Sequence, residues 1–332
     1  MLLAFAFAAD LAGQTSPAVE LAKNGWQAFH EGRLDEAKSL LSQAVRLSPR
    51  QSRYQAALGE VDWSLRDAEG AAQHFEIALK LNPSNTAVRY RLVQIYQALN
   101  QDLDVIRILQ VPDPPEPLRS IWRFSRAYSL FRLGRLAAAR REFLVLVNHP
   151  DFEAPVTFFL GRIAFAENHF EQALPYFAKA VRVGDSPTNK EFSSYTYDYG
   201  LTFFRLGRYA EANAQFALST QRYALEPLAW MMRGRCDEEL KNYKAAIEDY
   251  EESMRIDPKF ELSYYHLARL QQRYGDKQRA DELFKRLAEL RNGELKDAEI
   301  RAQEEAVLKM KTAPAPALTQ PVQPHSPGNA AP

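Results

Sequence analysis

The chain has one cysteine, Cys236, among 332 residues. A single thiol excludes an intramolecular disulfide and any zinc site built from several cysteines. There is no excess charge of either sign. Forty-two Lys and Arg balance 42 Asp and Glu, so the broad basic footprint of a dedicated nucleic-acid binder is missing. Long apolar runs are missing too. The longest, Leu2 to Ala9, is too short to cross a bilayer, and no integral membrane segment is expected. That run resembles the core of a secretory signal with small residues around Ala9 to Ala12. No Lys or Arg precedes Lys23, so the basic leader of such a signal is absent. Residues 1–17 therefore read either as a signal-peptide remnant or as an apolar N-terminal segment. A periplasmic or secreted location and a cytoplasmic one both stay open.

Recognisable chemistry is also scarce. The six histidines, His30, His74, His149, His169, His266 and His325, show no paired ligand spacing. Cys236 has no histidine near it in sequence, so packing is the expected role. Phosphate-cradling loops, serine elbows and zinc motifs do not occur. The sequence points to no enzyme, no cofactor and no metal.

What is there is repetition. From Gly25, steps of 34 residues reach Gly59, Val93, Ala127 and Gly161; a step of 39 reaches Gly200; two more of 34 reach Gly234 and Ala268. Twelve residues past each site stand Ala37, Ala71, Val105, Ala139, Ala173, Ala212, Ala246 and Ala280. Four further on stand Leu41, Phe75, Leu109, Phe143, Phe177, Phe216, Tyr250 and Phe284. The small, bulky, small pattern at i, i+4, i+7, as in Ala71, Phe75 and Ala78, lies on one helical face. Each period thus reads as two helices. The turn between them falls at "HEGRL", "FRLGRL", "AENHF", "FRLGRY", "LKNY" and "RYGDK", where Gly or Asn is expected to take the left-handed conformation. Pro49, Pro83 and Pro258 close second helices. Small residues let two antiparallel helices approach, and the bulky ring fills the gap one turn away.

This pattern resembles the tetratricopeptide repeat, a helix–turn–helix unit of about 34 residues. The seventh period carries the fullest match, with Trp230, Gly234, Tyr243, Ala246, Tyr250 and Pro258 in register. The resemblance implies an all-α, right-handed superhelical solenoid of about eight repeats over residues 18–292, irregular near 105–120. Val93 and Val105 replace small residues there, and "VPDPPEP" (111–117) should stop the second helix near Gln110, so the array is expected to bend or hinge. The extra five residues before the sixth repeat read as a longer surface loop. Residues 293–311 read as a charged capping helix, and the Pro/Ala-rich 312–332 as a disordered tail.

By the same resemblance, the first helices line a concave groove. Their inward positions hold Phe124, Tyr128, Phe131, Phe158, Arg162, Phe165, Tyr197, Phe204, Arg205, Met231, Arg235, Tyr265 and Arg269. Rings interleaved with arginines are typical of binding hot spots. Each ring has a second possible fate, packing against the next repeat. The carboxylate-clamp subtype of the family does not fit, because Ala22, Trp26, Ala57, Tyr90 and Gln94 occupy its key positions. The expected function is a non-catalytic adaptor binding an extended peptide or protein segment. An RNA-binding array and a self-assembling solenoid are the alternatives.

Overall fold

A computed structural model describes residues 16–186 and 188–291. The expectations for 1–15, for the capping helix at 293–311 and for the tail at 312–332 lie outside the described residues.

The small-bulky register folds as the spacing requires. Sixteen helices, and no strand, occur among the described residues. They run α1 (Pro17–His30), α2 (Leu34–Leu47), α3 (Ser52–Ser64), α4 (Ala68–Leu81), α5 (Thr86–Ala98), α6 (Asp102–Ile108) and α7 (Leu118–Arg132). Then come α8 (Leu136–Leu146), α9 (Glu153–Ala166), α10 (Phe170–Gly184), α11 (Phe192–Arg205), α12 (Tyr209–Arg222), α13 (Pro227–Glu239), α14 (Tyr243–Ile256), α15 (Glu261–Tyr274) and α16 (Lys277–Arg291). The chain divides into two compact units, one ending at Arg132 and the other beginning at Leu133.

Hairpins are held by the expected exchange of volume. Phe75, Phe177, Phe216 and Tyr250 have no exposed surface, nor do Ala71, Ala173, Ala212 and Ala246. The absent side chains are required. A Cβ on Gly59 would lie 2.8 Å from the Phe75 ring, and one on Gly161 2.9 Å from Phe177. Val93 and Val105, the two departures, are also fully buried.

The turns keep the period more strictly than the residues do. Positive φ occurs at Gly32, Arg66, Asn100, Gly134, Asn168, Gly207 and Lys241, in the same steps of 34 and 39. At six of these seven sites the next backbone N–H closes back across five residues, as in Arg33 to Ala28, Asp67 to Asp62 and Asn242 to Asp237, each 2.8–2.9 Å. This hydrogen bond imposes the left-handed residue whatever its type. Two expectations are corrected accordingly. In "LKNY" the left-handed residue is Lys241, while Asn242 has φ −84°. In "RYGDK" Gly275 has φ −139°, because the Gln271 side chain accepts the next amide, Asp276 N–H, at 3.1 Å. A left-handed Lys costs about 1–2 kcal/mol that Gly does not. Lys241→Gly is therefore expected to raise stability by about 0.5–1 kcal/mol after the entropy cost of glycine, read as a shift in the urea midpoint.

The third repeat is irregular where the prolines lie. The second helix, α6, is only seven residues long. Segment 111–117 is nonetheless tied to α7. Asp113 pairs with Arg123 at 2.7 Å, Arg119 donates to the Pro114 carbonyl at 3.2 Å, and Glu116 accepts from the Ser120 hydroxyl at 3.0 Å. Ahead of it, the Glu76 carboxylate accepts from the Tyr96 hydroxyl at 2.6 Å and from the Arg107 guanidinium at 2.7 Å, joining α4, α5 and α6. The Tyr96 hydroxyl, then Arg107, hold the Glu76 carboxyl below its ordinary 4.5. A depressed folded value means that this stabilisation is complete above about pH 4.5 and is lost as pH falls through the folded value. Glu76→Gln should lower stability at pH 7 and flatten its decline between about pH 5 and 3, as read by urea melts across that range.

The inserted loop before the sixth repeat runs from 185 to 191, between α10 and α11. Asn189 anchors it through Nδ2 to the Gly184 carbonyl at 2.7 Å.

Candidate interaction surface

In the second unit three second helices pack on the first helices at either side of them: α10 on α9 and α11, α12 on α11 and α13, α14 on α13 and α15. The first helices also meet one another, α9 with α11 and α13 with α15. First helices therefore stand side by side, α9 with α11 and α13 with α15, on the face that the repeat pattern makes the inner one.

Three of the thirteen expected surface residues are in the first unit and ten in the second. In the first, Phe124 and Tyr128 are half-buried, Arg132 lies 5.8 Å over the Tyr128 ring, and Phe131 is buried. In the second, Phe158, Phe165, Tyr197, Met231 and Tyr265 are buried. Those five and Phe131 are core residues, not an open lining. The cause is packing between neighbouring helices. Phe158 lies 4.6 Å from Tyr195 of α11 and 5.9 Å from Phe177 of α10. Tyr197 lies 5.4 Å from Phe216, and Phe165 meets Phe170 edge-on at 5.0 Å. Burial pushes the Tyr197 hydroxyl well above its ordinary range.

Arg162, Phe204, Arg205, Arg235 and Arg269 reach the surface. The four guanidinium groups are parked on aromatic rings. Arg162 lies 5.6 Å over Phe158, and Arg235 lies 4.6 Å over Phe204. Arg205 lies 5.0 Å over Phe170 and 5.9 Å over Phe165. Arg269 lies 5.4 Å over Tyr265 and donates to its hydroxyl at 3.1 Å. Stacking of this kind orients a cation without neutralising it.

A further set of partners joins first helices to one another and is not apparent from the periodicity alone. Arg162 of α9 pairs with buried Asp198 of α11 at 3.3 Å. In the first unit Glu60 of α3 pairs with Arg91 of α5 at 2.7 Å, and Arg91 lies over Trp63. Both pairs join the ninth position of one repeat to the sixth of the next. That offset of 31 residues, or 36 across the insertion, is visible in the sequence once first helices are known to be neighbours.

Elsewhere polar groups serve the packing. Asp62, 1% exposed, takes Lys38 at 2.8 Å and lies 3.5 Å from His74. Burial lowers the His74 value, so its ring is neutral near pH 7. Cys236 is fully buried, and burial pushes its thiol far up, which disfavours the nucleophilic thiolate. Among the described residues no group of three His, Cys, Asp or Glu is placed to hold a metal ion, and no helix is long and apolar enough to cross a membrane.

Paired helices in a fixed 34-residue register, with first helices stacked on one side, define a helical repeat solenoid. A family model for the tetratricopeptide repeat matches residues 23–86, 159–222 and 197–259, and the chain belongs to that family. Family membership supports a protein-interaction scaffold in general terms. A tetratricopeptide repeat protein from Parabacteroides merdae ATCC 43184 aligns with a TM-score of 0.53 and 14% identity, covering 82% of this chain and 99% of its own. A MamA fragment from Desulfovibrio magneticus RS-1 aligns at 0.47 and 17%, covering 52% and 95%. YrrB, described as having an unusual peptide-binding site, aligns at 0.35 and 17%, covering 68% and 96%. At these identities the likeness concerns the fold alone, and of the three only the first exceeds 0.5. Comparison with curated protein sequences found no match.

Proposed function

We propose that the chain is a non-catalytic adaptor whose second unit holds an extended protein segment along the inner helices α9, α11, α13 and α15. One observation carries this reading: arginines from successive first helices stand at the surface on aromatic rings. Rings and arginine are the residues that concentrate binding energy at interfaces. The buried rings set where the arginines stand, and the arginines with Phe204 make the contact.

Affinity capture tests the reading. The bait is the full chain beside an Arg205→Ala, Arg235→Ala, Arg269→Ala variant of unchanged circular dichroism. A protein retained by the first and lost by the second is the expected outcome. Retention by both would move the contact away from the inner face. Captured RNA would favour the nucleic-acid alternative, and its affinity should then fall steeply with salt.

A further inference from the structure

The inner arginines do not all have the same balance of charge. Arg162 is paired with Asp198 of α11, and Arg233, two residues before Arg235 and turned toward α14, is paired with Asp249. Outside the inner face, Arg208 is paired with Glu211 and Arg255 with Glu252. Arg205 and Arg269 differ. Their partners among the described residues are rings and a tyrosine hydroxyl, with no carboxylate in ion-pair range. On α13, Glu238 is engaged by the Tyr250 hydroxyl at 3.0 Å, while exposed Glu239, at the register position that Arg205 holds on α11, lies in ion-pair range of neither Arg205 nor Arg269. Among the described residues, two ring-supported guanidinium groups with no carboxylate in ion-pair range therefore flank Phe204 and α13.

A stacked guanidinium keeps its N–H edge free and its plane fixed, which suits bidentate capture of a carboxylate at little entropic cost. Neighbouring helices lie about 8–10 Å apart, so α11 and α15, two steps along the inner face, are separated by about 20 Å. An extended chain covers that in about six residues at roughly 3.3 Å each. We infer that the segment held here is acidic: two side-chain carboxylates about six residues apart, one on Arg205 and one on Arg269, with an apolar residue against Phe204. This rests on the inner face being the binding surface, and it specifies the chemistry of what binds.

A randomised display library of peptides about twelve residues long, selected on the full chain, tests the two levels separately. The expected pool is enriched in Asp or Glu pairs spaced about five to seven residues apart around an apolar residue. Changing either acid to its amide in a selected peptide should weaken binding about tenfold. An Arg205→Glu, Arg269→Glu chain should select Lys or Arg at the same spacing, a gain that an unfolded variant cannot produce. Peptides that bind wild type, lose binding to the reversed chain, and yet show no acidic pair would overturn the inference and leave the surface standing. Peptides that bind both chains alike, or no enrichment at all, would overturn the surface itself.

Discussion

Phe177→Ala is expected to remove about 3–5 kcal/mol of stability, the range for emptying a fully buried aromatic site. The ring is wholly enclosed, 5.9 Å from Phe158 and 6.5 Å from Tyr199 by ring centres, and it fills the space left by Gly161. Gly161→Leu is expected to cost about 1–3 kcal/mol for the opposite reason, because a side chain is forced where the ring already stands. Combined, the two changes should cost less than their sum, since the leucine enters the volume the ring has vacated. Urea melts followed by circular dichroism give the three values. Amide exchange then locates the loss in α9 and α10, since stability in repeat arrays is set by nearest neighbours. An additive result would mean that the small-bulky exchange is not what joins the hairpin.

The second large effect belongs to the irregular repeat. Trp122 of α7 is 1% exposed and is among the largest fully buried side chains. It packs with Leu92, Ile95 and Leu109 in the core of the first unit, and Arg89 lies 5.9 Å over its ring. Arg89 is itself buried, and it donates to the Ile108 carbonyl at 2.7 Å and the Pro83 carbonyl at 2.6 Å. One planar fork thus caps the shortened α6 and holds the turn before α5. Trp122→Ala should cost about 3–5 kcal/mol. Arg89→Met should cost about 1–3 kcal/mol, mainly for the buried Ile108 carbonyl left without a donor. Arg89→Lys should be nearly as damaging, because a single ammonium cannot serve two diverging carbonyls. Equal stability of Arg89→Lys and wild type in urea would refute this account of how the third repeat is closed.

The repeats were legible because their cause is local and periodic. Ala71, Phe75 and Ala78 share a face by helix geometry alone, and the same spacing at Ala173, Phe177 and Ala180 must give the same hairpin. The prolines of 111–117 announced the end of α6 for an equally local reason, the missing N–H. The turns were read less well at Lys241 and Gly275. There the closing hydrogen bond, or its replacement by the Gln271 side chain, outranks residue preference.

The surface was less legible than the fold. Phe158, Arg162 and Phe165 all stand at inward positions of α9, yet two are core and one is at the surface. Position along a helix determines direction; the neighbouring hairpin determines whether a ring pointing that way still meets solvent. Arg89 and Asp198 show the same division. Their types and places are written in the chain, but their carbonyl and arginine partners lie on other helices. By itself the sequence determined the all-helical repeat, its period, its small and bulky contacts and the break in the third repeat, because those follow from spacing within one or two helices. Tertiary structure alone decided which rings are buried and which arginines meet a carboxylate among the described residues, because burial and charge pairing depend on how successive hairpins stack.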